Sequence, residues 1–261
     1  MSIRLETGND GVWTLFLSRP ERLNALDDET VRDLQRTLGE LAADPACRAL
    51  ILTGDGRGFC TGFDLSLAGD APGSEHGEAQ AWMHRQELFA GVVQRLRDLR
   101  QPVIAAVNGP ANGAGLGLAL AADMRLASTA ASFNSAFIKV GMSSCDIGVS
   151  YLLPRCVGTS HAWDIMLTGR MVAAEEAVCI GLASRICAPQ DLLGLARQIG
   201  LEIAAHDGFA VWMTKRGMWA NLETSSLQAA VELENRTQIL ARTTGVLSSA
   251  AQALRQRSKA R

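Results

Sequence analysis

Phe59-Cys60-Thr61-Gly62-Phe63-Asp64-Leu65 and Asn108-Gly109-Pro110-Ala111-Asn112-Gly113-Ala114-Gly115-Leu116-Gly117 are two small-residue turns about fifty positions apart. Each follows an apolar run, Ala49-Leu50-Ile51-Leu52-Thr53-Gly54 in the first case and Pro102-Val103-Ile104-Ala105-Ala106-Val107 in the second. Each then leads into an Ala- or Leu-rich helical start. The setting is strand, glycine turn, helix, used twice. Glycine lets the backbone turn tightly and leaves an amide N–H bare at a helix N-terminus, where the dipole is positive. Two such N–H groups facing one point can stabilise an oxyanion.

Outward from these turns, strands and helices alternate. Val12 to Leu17 predicts a strand. Asp28 to Leu41 predicts a helix with Val31, Leu34, Leu38 and Leu41 on one face. A long helix is expected over Glu78 to Leu99, and a strand over Asp123 to Ala127. The stretch Gly69 to Gly77 is polar and reads as a loop. From Asp191 onward the pattern is helical and amphipathic, with Leu192, Leu195, Ile199 and Ile203 in register, and no strand is expected. The division is therefore 1–190 for an α/β core and 191–261 for a C-terminal helical region.

The bulk numbers exclude several classes. A net charge of −2 over 261 residues gives no electrostatic reason for a nucleic-acid or anionic-membrane partner. No apolar run reaches membrane-spanning length. The opening residues Met1 to Glu6 alternate polar and apolar and predict a strand rather than a secretion signal. The six cysteines, Cys47, Cys60, Cys145, Cys156, Cys179 and Cys187, form no Cys-x-x-Cys pair and read as reduced thiols of a cytoplasmic protein. No His/Cys/Asp cluster has metal-ligand spacing, and no Lys-Ser/Thr follows the second glycine turn, so it is not a phosphate loop.

Four ordered blocks carry a resemblance. They are Ser18-Arg19-Pro20-Glu21-Arg22-Leu23-Asn24-Ala25-Leu26, the two turns, and Met166-Leu167-Thr168-Gly169-Arg170 with the following Ala173-Ala174-Glu175-Glu176-Ala177 and Gly181-Leu182-Ala183-Ser184-Arg185-Ile186. Their order and spacing resemble those of the crotonase (enoyl-CoA hydratase/isomerase) superfamily over nearly the whole chain. The resemblance implies a spiral of ββα units with a C-terminal helical trimerisation region, assembling as a trimer or a dimer of trimers. It implies an acyl-CoA substrate from fatty acid metabolism, with the coenzyme A thioester as substrate and no separate cofactor. The family's oxyanion-hole donors fall on Phe63 and Ala114, supported by Gly62 and Gly113. Its coenzyme A-lining segments fall on Arg22, Leu23, Ala25, Thr61, Asp64 and Leu65. Read from residue type alone, Arg22 is solvated and Asp64 caps a helix.

The chain departs from the family's hydratases at their two glutamates. By alignment these positions are Gly117 or its immediate neighbour, and Phe137. Water addition across a double bond needs a base for the water and an acid for Cα, and the usual pair is missing. One carboxylate stands in the right region, in Ser144-Cys145-Asp146-Ile147-Gly148-Val149, where the family's dienoyl-CoA isomerases carry a working Asp. Asp146 either acts as acid/base or caps the helix that starts near Gly148. Phe63, Trp82, Phe89, Phe137 and Met142 are candidates for shaping the acyl pocket and suggest a bulky or ring-bearing acyl group. His84, Glu87, His161 and His206 read as surface or structural groups, as do His76 and Glu75. The expectation is an enoyl-CoA hydratase/isomerase-family enzyme that stabilises a thioester enolate, with Asp146 moving the proton in hydration or double-bond isomerisation. A C–C bond hydrolase acting on a β-keto acyl-CoA and a catalytically inactive acyl-CoA-binding protein are the alternatives.

Overall fold

The computed structural model describes residues 2–69, 73, 77–249 and 251–252. Glu75 and His76 lie outside the described residues. The chain runs β1 (Ile3–Glu6), β2 (Val12–Leu17), α1 (Asp28–Ala43), β3 (Ala49–Gly54), α2 (Glu78–Asp98), β4 (Val103–Val107), β5 (Pro110–Asn112) and α3 (Ala114–Ala121). It continues with β6 (Met124–Ser128), β7 (Ser132–Asn134), α4 (Val149–Thr168), β8 (Val172–Ala173), α5 (Ala174–Cys179) and β9 (Arg185–Cys187). Helices α6 (Leu192–Ala204), α7 (Gly208–Asn221) and α8 (Leu227–Arg242) follow.

Two sheets form. The larger has the order β1-β2-β3-β4-β6-β9 and the smaller β5-β7-β8. The larger sheet is parallel except for its edge strand β1. Two isolated parallel bridges, Cys60 to Ala111 and Leu26 to Phe63, extend the smaller sheet's layer. Successive passes of the chain thus give an extended segment to each layer and then a helix, which is the ββα spiral.

The sequence explains these elements locally. Every residue of β3 and β4 is buried, as expected for central parallel strands covered on both faces. Asp27 caps α1, accepting from the Thr30 amide at 2.7 Å. The α1 stripe Val31, Leu34, Leu38 and Leu41 is fully buried. Gly115 is required by close approach: a Cβ there would lie 1.9 Å from the Cys60 carbonyl oxygen.

The division at 190 does not separate two packing units. Leu192, Ala196 and Ile199 of α6 pack with Val12, Ile51, Ile104 and Leu126 on one face of the larger sheet. The apolar stripe of α6 is therefore core-facing, and only α7 and α8 extend beyond it. Helix α7 buries one residue, Lys215, and α8 buries none. Lys215 pairs with Asp123 at 2.9 Å and donates to the carbonyls of Gln101 at 3.0 Å and Leu96 at 3.3 Å. That polar pin fastens α7 to the core. Among the described residues no helix is long and apolar enough to cross a membrane.

Candidate active site

The two glycine turns meet because the extended segment before each one pairs with the other. The Asn112 amide donates to the Cys60 carbonyl at 2.9 Å, and the Cys60 amide to the Pro110 carbonyl at 3.0 Å. Gly62 has φ +90, and a Cβ on it would lie 2.8 Å from the Asn112 carbonyl oxygen and 3.1 Å from the Ala114 nitrogen. Only glycine allows this approach.

Pairing consumes the neighbouring amides and leaves two over. Leu26 donates to Gly62 at 2.7 Å and Asp64 donates back to Leu26 at 2.9 Å, so the intervening Phe63 amide points away from that strand. Gly113 donates to Asn134 at 3.0 Å, and Gly117 to Gly113 at 3.1 Å. Ala114, the first residue of α3, is one of the donors that a helix start leaves unpaired. Neither the Phe63 nor the Ala114 N–H has a partner among the described residues.

Both residues line a cavity of about 400 Å³. Phe63, Trp82, Phe89, Phe137 and Met142 all contribute to its wall, as does Leu65. Phe63 and Phe89 meet edge to face with ring centroids 5.6 Å apart. The short 3-10 turn Ala136–Val140 brings Phe137 against Gly113. The wall also holds Asp146, the only carboxylate among the described lining residues.

Asp146 is not the cap of α4. The cap position is Gly148 and has no side-chain hydrogen bond. It is the main-chain carbonyl of Asp146 that accepts from Val149, at 2.8 Å. The carboxylate instead accepts, on Oδ1, from the Ile147 amide at 2.7 Å and from the Gln86 side-chain amide. Burial pushes its pKa above the ordinary carboxylate value, with the Ile147 and Gln86 donors opposing the rise. That leaves Oδ2 unengaged among the described residues.

The remaining candidates separate. Thr61 bonds back to the Leu23 carbonyl through its amide at 3.2 Å and its hydroxyl at 3.3 Å. This ties the first turn to the Arg22-Leu23-Asn24-Ala25 segment, where Leu23 and Asn24 are left-handed and Ala25 is buried. Arg22 is exposed. Asp64 is buried and internally satisfied by Ser66 Oγ at 2.7 Å and Arg19 at 3.1 Å. Those partners hold its pKa down, Ser66 first. It is a structural anchor and is not among the described residues that line the cavity. His84 and Glu87 are exposed on α2.

Sequence reading missed Arg85 and Gln86, which both line the cavity. A signal existed. Trp82, Arg85, Gln86 and Phe89 are spaced i, i+3, i+4, i+7, one face of a helix, and two of the four were already assigned to the pocket. Arg85 donates to Asp28 at 2.7 Å and lies 4.7 Å over the Phe63 ring. Among the described residues no group of three His, Cys, Asp or Glu side chains could hold a metal ion.

The family model for enoyl-CoA hydratase/isomerase matches residues 7–249. The chain belongs to the enoyl-CoA hydratase/isomerase family. It is 43% identical over 229 residues to the probable enoyl-CoA hydratase EchA12 of Mycobacterium tuberculosis strain H37Rv, covering 87% of this chain and 80% of the relative. It is 37% identical over 236 residues to the 1,2-epoxyphenylacetyl-CoA isomerase of Escherichia coli K12, covering 88% and 87%. The crystal structure of a probable enoyl-CoA hydratase/isomerase from Mycobacterium abscessus superposes with a TM-score of 0.86 at 38% identity, covering 93% of this chain and 91% of that one. The ββα spiral is therefore the crotonase fold, and the chain is an enoyl-CoA hydratase/isomerase-family enzyme with an acyl-CoA substrate.

Proposed function

We propose that this enzyme isomerises a double bond of an enoyl-CoA by moving one proton between carbons. The observation that carries this is a single one: two unpartnered amides and one carboxylate open onto the same apolar cavity. The thioester oxygen accepts from the Phe63 and Ala114 N–H groups, so this pair is the oxyanion hole. Asp146 takes a proton from the α carbon of a β,γ-enoyl thioester or from the γ carbon of an α,β-enoyl thioester. The electron pair moves onto the thioester oxygen as an enolate. The same carboxyl group returns the proton to a different carbon of the delocalised system, and the double bond shifts. Atoms and charge balance with no water consumed.

Hydration would need a second group to position water. The two positions where the family's hydratases keep glutamates hold Gly117 and Phe137, and no carboxylate other than Asp146 is among the described lining residues. The aromatic walls favour a ring-bearing or bulky acyl group, in line with the relative that acts on 1,2-epoxyphenylacetyl-CoA. Arg22, Leu23, Ala25, Thr61 and Leu65 form the approach for the coenzyme A portion. Helices α7 and α8 are the assembly surface of a trimer or a dimer of trimers. All six cysteines are free thiols, which suits the reducing cytoplasm.

The test is incubation with a panel of enoyl- and dienoyl-CoAs in deuterated water. Isomerised products with deuterium gained at the α or γ carbon support the reading. Water adducts as the main product, with no isomer formed, overturn it.

A further inference from the structure

The turn that carries Asp146 also carries a residue in a conformation its side chain disfavours. Ile147 has φ +35. A β-branched residue in that region is an outlier. Its side chain is buried at 8% exposure, and its amide is the one that donates to Asp146 Oδ1 at 2.7 Å. Ile147 also forms part of the cavity wall.

What this conformation achieves is visible on α3. A Cβ placed on Gly117 would lie 2.4 Å from Ile147 Cδ1 and 2.7 Å from Cγ1. The Ile147 side chain thus occupies the space above Gly117 that any side chain there would need. On the adjoining wall Phe137 sits over Gly113, its Cε1 3.6 Å from a Cβ built there. The part of the cavity next to the Ala114 amide is therefore closed by hydrocarbon from both sides. A water molecule needs two to four polar partners to be held, and this stretch of wall presents none from side chains.

We propose that Ile147 decides the outcome of the reaction: it keeps water away from the enoyl group, so that the proton on Asp146 can only return to carbon. The inference rests on the isomerase reading of the site and adds the device that enforces it. In hydration, Asp146 would take a proton from water as the oxygen bonds to Cβ. The double-bond electrons would pass to the thioester oxygen, and Cα would then be protonated. The chemistry at the oxyanion pair is the same in both reactions. What differs is whether a water can stand beside Cβ, and Ile147 fills that place. A strained residue at this point has a purpose, since an unstrained backbone would withdraw the side chain from Gly117.

Three substitutions test it. Ile147→Gly suits the positive φ and opens the space. Ile147→Asn tolerates the same backbone, keeps most of the bulk and offers water two polar atoms. Ile147→Leu keeps an apolar filler. With an enoyl-CoA in water labelled with heavy oxygen and not with deuterium, mass spectrometry reads the adduct heavier by one labelled water against the isomer of unchanged mass. The adduct-to-isomer ratio is expected to rise by roughly tenfold or more in the Gly and Asn variants, a factor that a barrier change near 1.4 kcal/mol produces. It should stay within about twofold in the Leu variant. An unchanged ratio in folded Gly or Asn variants overturns the proposal. A crystal structure supplies a readout that needs no turnover. An ordered water against Gly117 in Ile147→Gly and none in the wild type supports the exclusion, whereas a water there in the wild type overturns it. A wild type that moves no double bond refutes the isomerase reading alone, and the crystallographic comparison still decides the role of Ile147.

Discussion

Gln86, in the third turn of α2, donates its side-chain amide to Oδ1 of Asp146, on the turn that precedes α4. Two elements sixty residues apart are joined at the one carboxylate among the cavity's described lining residues. The bond leaves Oδ2 as the atom available to substrate, and it stabilises the charged form. Gln86 is therefore a positioning residue for Asp146.

Removing that donor has a definite sign. In Gln86→Leu the carboxylate loses a hydrogen bond that favours ionisation, so its pKa, already raised by burial, rises further. Asp146 must be ionised to accept a proton. The acid limb of the kcat/KM profile should move to higher pH, with the plateau rate kept within about tenfold. Gln86→Glu, which brings a like charge, should move the limb further still. A pH profile that superposes on the wild type would show that Gln86 does not act through Asp146.

The two free amides give a second prediction. Ala114 is the first residue of α3, a position where proline is tolerated because its N–H has no intrahelical partner. Ala114→Pro deletes one of the two proposed oxyanion donors with little cost to the helix. The kcat should fall by roughly 10²–10³-fold, the usual worth of one such donor. Thermal melting checks that the variant is folded. A folded variant with normal kcat would show that the thioester oxygen is held elsewhere.

How much of this was legible in the sequence differs from feature to feature. Strands β3 and β4, helix α1 and the glycine turns were readable because burial on both faces, a 3.6-residue period and close backbone approach each leave a local mark. The place of Asp146 in the wall of the cavity was readable only through family likeness, because its neighbours Gln86 and Gly117 come from distant elements. The short strands β5, β7, β8 and β9 span two or three residues each, too few for an alternation to register. The left-handed Ile147 could not be seen at all. Nothing local asks for it, and its reason is the glycine on α3 thirty residues earlier. Whether α6 packs on its own core or on a neighbour was open in the sequence, since an amphipathic stripe shows that a face is covered but not by what; the structure places it on the larger sheet.

The α7–α8 hairpin carries a third prediction. Leu227 is 82% exposed, Ile239 63% and Leu240 52%, on a helix that buries no residue among those described. Large apolar side chains this exposed around one helix need a partner surface. Ile239→Glu with Leu240→Glu should convert the proposed trimer or hexamer into smaller sedimenting species. The core, held by the sheets and by Lys215 on Asp123, should keep its circular dichroism. Sedimentation of the variant at the wild-type rate would place the assembly contact elsewhere.

Asp146→Asn separates catalysis from stability at the same atom. Asn keeps the size and can accept from Ile147 and Gln86 through its carbonyl oxygen, but it cannot take a proton from carbon. Turnover should drop by roughly 10²–10⁴-fold, the usual worth of a general base, while binding of the acyl-CoA is retained. Stability should move the other way. Burial raises the folded-state pKa of Asp146 above its unfolded value, so between those two values the folded protein holds more protons than the unfolded chain. Stability then falls as pH rises through that window. The cost is fully present only above the raised folded-state value and is absent below about pH 4, where the unfolded carboxyl is also protonated. Asn carries no such cost. The variant should therefore melt at or above the wild-type temperature near pH 7, and the difference should shrink as the pH is lowered through the raised pKa. Thermal melts of both proteins across that range decide the matter. A variant that melts lower at neutral pH, with its rate intact, would make Asp146 a structural residue and remove the acid/base from the site.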